Sequence, residues 1–270
     1  MRPGFIERTI ATFLTAAEYT AGAETMAASK GALQRVDPRV KVAGLLGLIV
    51  AAALSRRLET IASLFAVAIL LALASGVSPV RLLRWVWWPA LLFTGAIALP
   101  AVFLTPGNPA FSLGPLTATH QGIRSALFLI ARAETAVTYS ALLAFTTPWP
   151  WAMKALRTLG CPAALVAILG MTFRYIFVIL GTAAEMFESR QSRTVGRLEG
   201  PERRRMASAA AGALMEKSLQ LSSEVHLAMQ SRGYRGEVHI LHDFRMSASD
   251  WLWLAGFVTL TGMAIWGGRG

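Results

Sequence analysis

Charged residues are scarce in this chain. Only 15% of its 270 residues are Asp, Glu, Lys or Arg, whereas soluble domains carry about a quarter. Because 54% of the residues are hydrophobic, a soluble fold of this length would lack the polar surface to cover itself. The charges cluster into basic islands between long apolar runs, as in membrane proteins. The sequence therefore predicts an all-α, polytopic membrane protein and argues against a soluble enzyme.

Cysteine and nucleotide-binding loops are also missing. Cys161 is the only cysteine, which excludes a disulfide framework or a Cys-based metal site within one chain. No G-x-x-x-x-G-K-[ST] sequence occurs, so the chain cannot cradle nucleotide phosphates itself. No Ser/His/Asp order or paired-carboxylate motif stands out. We therefore predict no catalytic residue, no cofactor and no enzyme activity of the chain alone.

Acidic residues are too few to balance the basic ones, and the net charge is +11. Such an excess suits either nucleic acid or the anionic lipid beside cytoplasmic loops. The basic residues flank apolar runs, which favours the lipid bilayer as partner and argues against nucleic acid. We expect a multi-pass protein of the cell (cytoplasmic or inner) membrane.

Hydropathy predicts about five transmembrane helices plus long cytoplasmic helices. A further apolar stretch, 163–184, has Arg174 at its centre, and a central Arg costs about 2.5–3.5 kcal/mol on insertion scales. That stretch is either a membrane helix with a buried Arg or an apolar helix packed under the bundle, and it is not counted. The predicted spans are 42–54 and 61–76 as a tight hairpin, then 85–104, 122–147 and 251–266.

Charge distribution predicts the orientation and four segments. The loop 105–120 has no Lys, Arg, Asp or Glu, so the positive-inside rule places it outside and the Arg-rich stretch in the cytoplasm. The apolar residues of 4–20 share one helix face, which suits a helix on the membrane surface or one packed on the bundle. The predicted segments are 1–36 (amphipathic, interfacial), 37–147 (helices one to four), 148–249 (cytoplasmic) and 250–270 (last helix).

Two long helices predicted in the cytoplasmic segment end alike. The first, from about Pro162, closes with Ser192-Arg193-Thr194, and the second, from about Met206, closes with Ser231-Arg232-Gly233. Gly233 suits the left-handed residue after a helix, and a cation there complements the helix dipole. Capping by Arg would explain one such end. A pair of them in one basic segment favours guanidinium forks that bind carboxylates of a partner protein.

These features, with three others, resemble the transmembrane T component of energy-coupling factor transporters, most closely its cobalt-transport CbiQ branch. The first is Asp37-Pro38-Arg39-Val40-Lys41 before the first span. His120-Gln121-Gly122 opens the fourth span, and Phe145-Thr146-Thr147-Pro148 ends it. Phe173-Arg174-Tyr175 lies in the first long helix, and the two helix ends match the family's paired Ala-Arg-Gly motifs. The resemblance covers 36–236.

The resemblance implies a coupling subunit. Arg193 and Arg232, flanked by Ser192, Ser231 and Gly233, would dock in two ABC-type ATPase subunits. A separate substrate-binding membrane subunit would hold the ion, cobalt or nickel. The remaining motif residues would be structural: Asp37, Pro38, Arg39, Lys41, Thr147, Pro148, Arg174 and Tyr175. Two departures stand out, because Ser replaces Ala in both motifs and Thr194 replaces the first motif's Gly.

Two alternatives remain at the level of the sequence. His239, His242 and Asp243 have spacings that a metal site uses, but a polar linker before the last span explains them as well. We therefore predict no metal ligand. The alternative function is a membrane-embedded enzyme acting on phosphate-bearing lipid through its arginines, although the chain has no Asp-rich metal motif.

Overall fold

A computed structural model describes residues 31–105, 108–113, 116–193, 200–234 and 246–269. These ranges contain eight α-helices and one antiparallel strand pair. The helices are α1 (Pro38–Leu54), α2 (Leu58–Ala74), α3 (Pro79–Leu104), α4 (His120–Thr146), α5 (Trp149–Thr158), α6 (Ala163–Gln191), α7 (Gly200–Ser231) and α8 (Ala248–Arg269). The strands are β1 (Pro109–Leu113) and β2 (Leu116–Thr119). The chain is thus an all-α polytopic fold with one short hairpin.

The chain divides into two compact units. The frame unit holds α1 to α4, the strand pair, most of α5, and α8. The long-helix unit holds α6 and α7.

Helix α1 packs on α4 and α8 within the frame unit. Its Leu45 and Leu48 are fully buried in a core that also includes Leu142 of α4 and Phe257 of α8. Gly44 permits the close approach of α8, because a Cβ there would lie 2.3 Å from Cδ2 of Phe257. Small residues serve this purpose at helix interfaces in membranes, where backbones must come close to gain contacts.

Helix α3 approaches α4 closely at Gly122. A Cβ on Gly122 would lie 2.6 Å from the carbonyl oxygen of Val102 and 2.7 Å from that of Ala101. Thr119 caps α4: its Oγ1 accepts the N–H of Gly122 at 3.1 Å and donates to the carbonyl of Thr105 at 2.9 Å. The N-cap of α4 is therefore fastened to the end of α3.

Four helices in the described residues are long and apolar enough to cross a membrane: Pro79–Leu104, His120–Thr146, Ala163–Arg190 and Ala248–Gly268. Three of them match predicted spans. The stretch 163–184, whose location the sequence left open, lies within the remaining helix, Ala163–Arg190. Helices α1 and α2 have 17 residues each, which is about 25 Å at about 1.5 Å per residue and short of a hydrocarbon core of about 30 Å.

Several predicted boundaries were wrong, each for a local reason. Helix α3 begins at Pro79 instead of Trp85, because Pro suits the first turn of a helix and the following basic residues continue it. Helix α7 begins at Gly200 instead of about Met206, because Arg is a good helix former and Glu202 favours a first turn. No helix was predicted over α5. The loop 105–120, for which no strand was predicted, contains the β1–β2 pair.

Candidate partner-binding helix ends

The ends of α6 and α7 are built alike. In each, a serine hydroxyl donates to the carbonyl three residues earlier, and the N–H of the following arginine does the same. The distances are 2.8 Å (Ser192 to Ser189) and 3.1 Å (Arg193 to Arg190), and 2.9 Å (Ser231 to Ala228) and 3.2 Å (Arg232 to Met229). Both serines and both arginines are exposed, so each helix ends by presenting a guanidinium to its surroundings.

Gly233 ends α7 in the left-handed conformation, with φ +80°. Its N–H donates to the carbonyl of Gln230 at 3.0 Å, and the N–H of Tyr234 donates to that of Met229 at 3.0 Å. These two bonds form a Schellman motif, which satisfies the last carbonyls of a helix and turns the chain away. Arg232 thus occupies the C-cap position. The corresponding Thr194 lies outside the described residues.

A basic cleft flanks Arg193. It has a volume of about 680 Å³ and lies between the end of α6 and the start of α7. The charged residues lining it are Arg190, Arg193, Arg205 and Glu202. Three guanidinium groups against one carboxylate leave an excess of positive charge, which suits an acidic partner surface.

An apolar groove runs along α6 and α7, with a volume of about 520 Å³. Leu221 and Val225 of α7 line it. Tyr175 also lines it. Arg174 is exposed, with its Cζ 6.0 Å from the centroid of the Tyr175 ring, the outer limit of a cation–π contact.

The Asp37-Pro38-Arg39 motif starts α1. Asp37 is the N-cap and its Oδ1 accepts the N–H of Arg39 at 2.8 Å, while Pro38 occupies the first helical position, both common at helix starts. Lys41 is buried, and its Nζ donates to the carbonyl of Thr146 at 2.9 Å. Next to Thr146, Thr147 is buried, and the carbonyl of Pro148 accepts the N–H groups of Trp151 and Ala152 in the first turn of α5.

Sequence reasoning missed Asp250. Its Oδ2 accepts the N–H of Ser247 at 2.8 Å, and its Oδ1 accepts the N–H of Asp37 at 2.9 Å. A signal was present, because Ser247 followed three residues later by a carboxylate resembles a capping box before an apolar run. That pattern would have found the contact within α8 but not the one to α1.

Two ionisable residues, Arg132 and Glu134, lie in α4, which is apolar enough to cross a membrane and where ionised side chains need partners. Arg132 has them, because its Nη2 donates to the carbonyl of Ser55 at 2.7 Å and its Cζ lies 4.6 Å from the centroid of the Phe128 ring. Glu134 is buried, and its carboxyl oxygens have no hydrogen-bond partner within the described ranges.

The metal question rests on residues that the structure does not describe. His239, His242 and Asp243 lie outside the described residues, as does the helix predicted over 4–20. Among the residues that are described, no group of three or more His, Cys, Asp or Glu side chains could hold a metal ion.

Comparison with known proteins agrees with the motif reading. A family model described as CbiQ, cobalt transport protein, matches residues 29–241. An uncharacterized protein of Methanocaldococcus jannaschii is 31% identical over 245 residues, which are 89% of this chain and 84% of that protein. The cobalt transport protein CbiQ of Rhodobacter capsulatus is 30% identical over 159 residues, 56% of this chain and 64% of that protein.

A third relative is the energy-coupling factor transporter transmembrane protein EcfT of Brevibacillus brevis. It is 26% identical over 246 residues, which are 86% of this chain and 91% of that protein. The resemblance to energy-coupling factor T components that the motifs predicted is therefore confirmed. The chain is a multi-pass protein of the cell membrane and belongs to the CbiQ family of cobalt transport proteins.

Proposed function

We propose that this chain is the coupling subunit of an ATP-driven energy-coupling factor importer. It transmits the closure of two ABC-type ATPase subunits to a substrate-binding membrane subunit. The names of its relatives support a transporter component. The observation that carries the coupling role is the matched pair of exposed arginines, Arg193 and Arg232, each held at a helix end by the same hydrogen bonds.

Two helix ends with the same hydrogen-bonded structure suit two partner subunits of the same type. A guanidinium offers five donors in a planar fork that binds a carboxylate through two parallel hydrogen bonds. Arg193 also lines the basic cleft together with Arg190 and Arg205. The ATPase subunit that binds Arg193 therefore meets more positive charge than the one that binds Arg232. Each ATPase subunit accordingly presents an acidic groove to one arginine. Ser192, Ser231 and Gly233 set the backbone from which the forks project.

The proposed arrangement keeps the segments expected from the sequence. Residues 37–147 and 250–270 form the membrane part, 148–249 is the cytoplasmic coupling segment, and 1–36 lies at the interface. The charge-free loop 105–120 is external.

The transported ion is proposed to be cobalt, from the family description, with nickel as the competing ion. In the resembling family the ion sits in the separate substrate-binding subunit. Uptake of ⁵⁷Co²⁺ by cells expressing the whole complex, with Ni²⁺ as competitor, tests this. If cells expressing the complex accumulate no more ⁵⁷Co²⁺ than cells without it, and Ni²⁺ does not change that accumulation, the assignment of substrate is refuted.

Co-purification tests the coupling role. We expect the tagged chain to retain its ATPase pair, and Arg232→Ala or Arg193→Ala to weaken that association. Each change leaves a partner carboxylate without its fork, a loss of about 2–5 kcal/mol at a buried contact. The double variant should lose the ATPases or hydrolyse ATP without transport. Arg→Lys should rescue only partly, because an ammonium cannot form the bidentate pair.

Arg204→Ala is the matched control, because Arg204 is an exposed arginine of α7 that does not line the basic cleft. Exposed ion pairs contribute about 0–1 kcal/mol, so this variant should behave like wild type. A double Arg193→Ala/Arg232→Ala variant that assembles and transports at the wild-type rate would refute the assignment. Turnover of ATP or of phospholipid by the purified chain alone would favour the enzyme alternative.

A further inference from the structure

Four buried polar residues join three helix ends of the frame unit, and we call them the junction clamp. They are Asp37 and Lys41 of α1, Thr146 of α4 and Asp250 of α8, exposed by 7%, 1%, 0% and 5% respectively. Buried charges persist in proteins only when they are paired or hydrogen-bonded. Two hydrogen bonds among them link α1 to α4 and to α8.

Lys41 links α1 to α4. Thr146 is the last residue of α4, where the carbonyls have no partner inside the helix and the helix dipole is negative. The Lys41 ammonium donates to the Thr146 carbonyl at 2.9 Å, across 105 residues of sequence. It satisfies an otherwise unpaired acceptor and places positive charge at the end of the helix that favours it.

Asp250 links α1 to α8. One carboxylate oxygen accepts the N–H of Ser247, just before α8, and the other accepts the N–H of Asp37, the N-cap of α1. The first N–H groups of a helix have no partner within it, and the dipole there favours negative charge. A single carboxylate therefore serves the starts of two helices.

These contacts concern the two places where the coupling segment joins the membrane helices. The chain leaves α4 after Thr146 and returns at Ser247 before α8. Both junctions are hydrogen-bonded to one turn of α1, Asp37 to Lys41. Helix α1 in turn packs on α4 and α8 through a shared apolar core.

We propose that the junction clamp is a positioning device for coupling. It fixes both junctions on α1, so that displacement of the segment between them moves α1, α4 and α8 together instead of separating α4 from α8. Lys41 and Asp250 are then positioning residues, which act through the helices they hold. The inference rests on the proposed coupling function.

The test uses the complete complex, with its ATPase pair and substrate-binding subunit, in liposomes. The measurement is metal transported per ATP hydrolysed, which a purely structural role would leave unchanged in the complexes that assemble. Lys41→Met keeps most of the length of the side chain and removes its charge. We expect it to lower transport per ATP by about fivefold or more, the low end of coupling between linked sites. Asp250→Asn should cause a smaller loss, because the amide keeps one acceptor.

Lys41→Arg should restore part of the ratio, because a guanidinium also donates to a carbonyl. Lys217→Met is the matched control, since Lys217 is exposed on α7, and it should leave the ratio unchanged. A wild-type complex that neither assembles nor transports would refute the proposed function itself. A working wild-type complex together with a Lys41→Met ratio equal to wild type would overturn the clamp alone.

A second measurement uses the chain alone, so it remains possible if the variant assembles poorly with its partners. Spin labels on cysteines replacing Pro150 and Ser249, both exposed, report the distance between the junctions in the full chain with Cys161→Ser. We expect one narrow distance distribution with Lys41 present and a broader or displaced one after Lys41→Met. Identical distributions would overturn the proposal whatever the yield of the complex.

Discussion

Replacing Gly122 with Ala tests a close backbone contact between α3 and α4 in the frame unit. An added Cβ would lie 2.6 Å from the carbonyl oxygen of Val102 and 2.7 Å from that of Ala101. Both obstacles are backbone atoms of α3, so no side chain can turn aside to make room. Helix α4 must move away from α3 at its N-terminal end, where Thr119 also fastens it to Thr105.

The expected cost follows from two opposing effects. Overpacking a close contact typically costs about 1–3 kcal/mol. Exchanging Gly for Ala in a helix offsets this cost by up to about 1 kcal/mol, because Ala loses less conformational entropy on folding and has the higher helix propensity. With the full offset, the net destabilisation is about 0–2 kcal/mol, or up to roughly 8 °C in Tm at about 2–4 °C per kcal/mol for a chain of this size.

Gly95→Ala is the matched control. Gly95 lies in α3, and apart from its chain neighbours and the nearby backbone of its own helix no described atom is within 4 Å of the position where its Cβ would be. The propensity gain then acts alone, so Tm should stay equal or rise. The eight tryptophans of the chain make intrinsic fluorescence on heating in detergent a suitable assay. If Gly122→Ala melts at or above the temperature of Gly95→Ala, the reasoning about close packing is wrong.

Three further predictions concern other parts of the chain. A cysteine replacing Asn108 in a Cys161→Ser background should react with impermeant reagents only from outside; labelling only from the cytoplasm would refute the topology. Gly233→Ala should strain the left-handed end of α7 by about 1–2 kcal/mol and reduce co-purified ATPase, whereas Gly212→Ala, in regular exposed helix, should not. Tyr139→Phe removes a buried 2.7 Å hydrogen bond to the Leu64 carbonyl and should cost about 0.6 kcal/mol, at most about 1.7; an unchanged Tm would argue against the bond.

The sequence predicted the long apolar helices because hydropathy is a local signal that needs no partner. The same reasoning misplaced two helix starts. The basic residues between Pro79 and Trp85, and those just before Met206, were left outside the predicted helices, although Arg is a good helix former and Pro suits a first turn. The β1–β2 pair was not predicted, since its nine residues carry too little periodicity to stand out among prolines and glycines.

The candidate functional residues likewise divide into those that a local sequence pattern predicts and those that it does not. The helix ends at Arg193 and Arg232 were predictable, because their hydrogen bonds span three residues and a glycine marks one of them. The junction clamp was not, because its contacts join residues 105 and 213 positions apart. Lys41 was recognised as part of a motif, but no local pattern identifies the Thr146 carbonyl as its acceptor.

The packing of α1 against α8 also imposes an order on biosynthesis. The Asp37 N–H bonds to a residue made 213 positions later, about 11–43 s at a ribosomal rate of roughly 5–20 residues per second. During that time α1 stands in the bilayer without α8, with the surface beside Gly44 that Phe257 later covers. Quality-control proteases thus have an interval in which unfinished chains differ from finished ones. Chains that stop before Ala248 should be degraded rapidly in pulse–chase experiments, even though every preceding helix is complete.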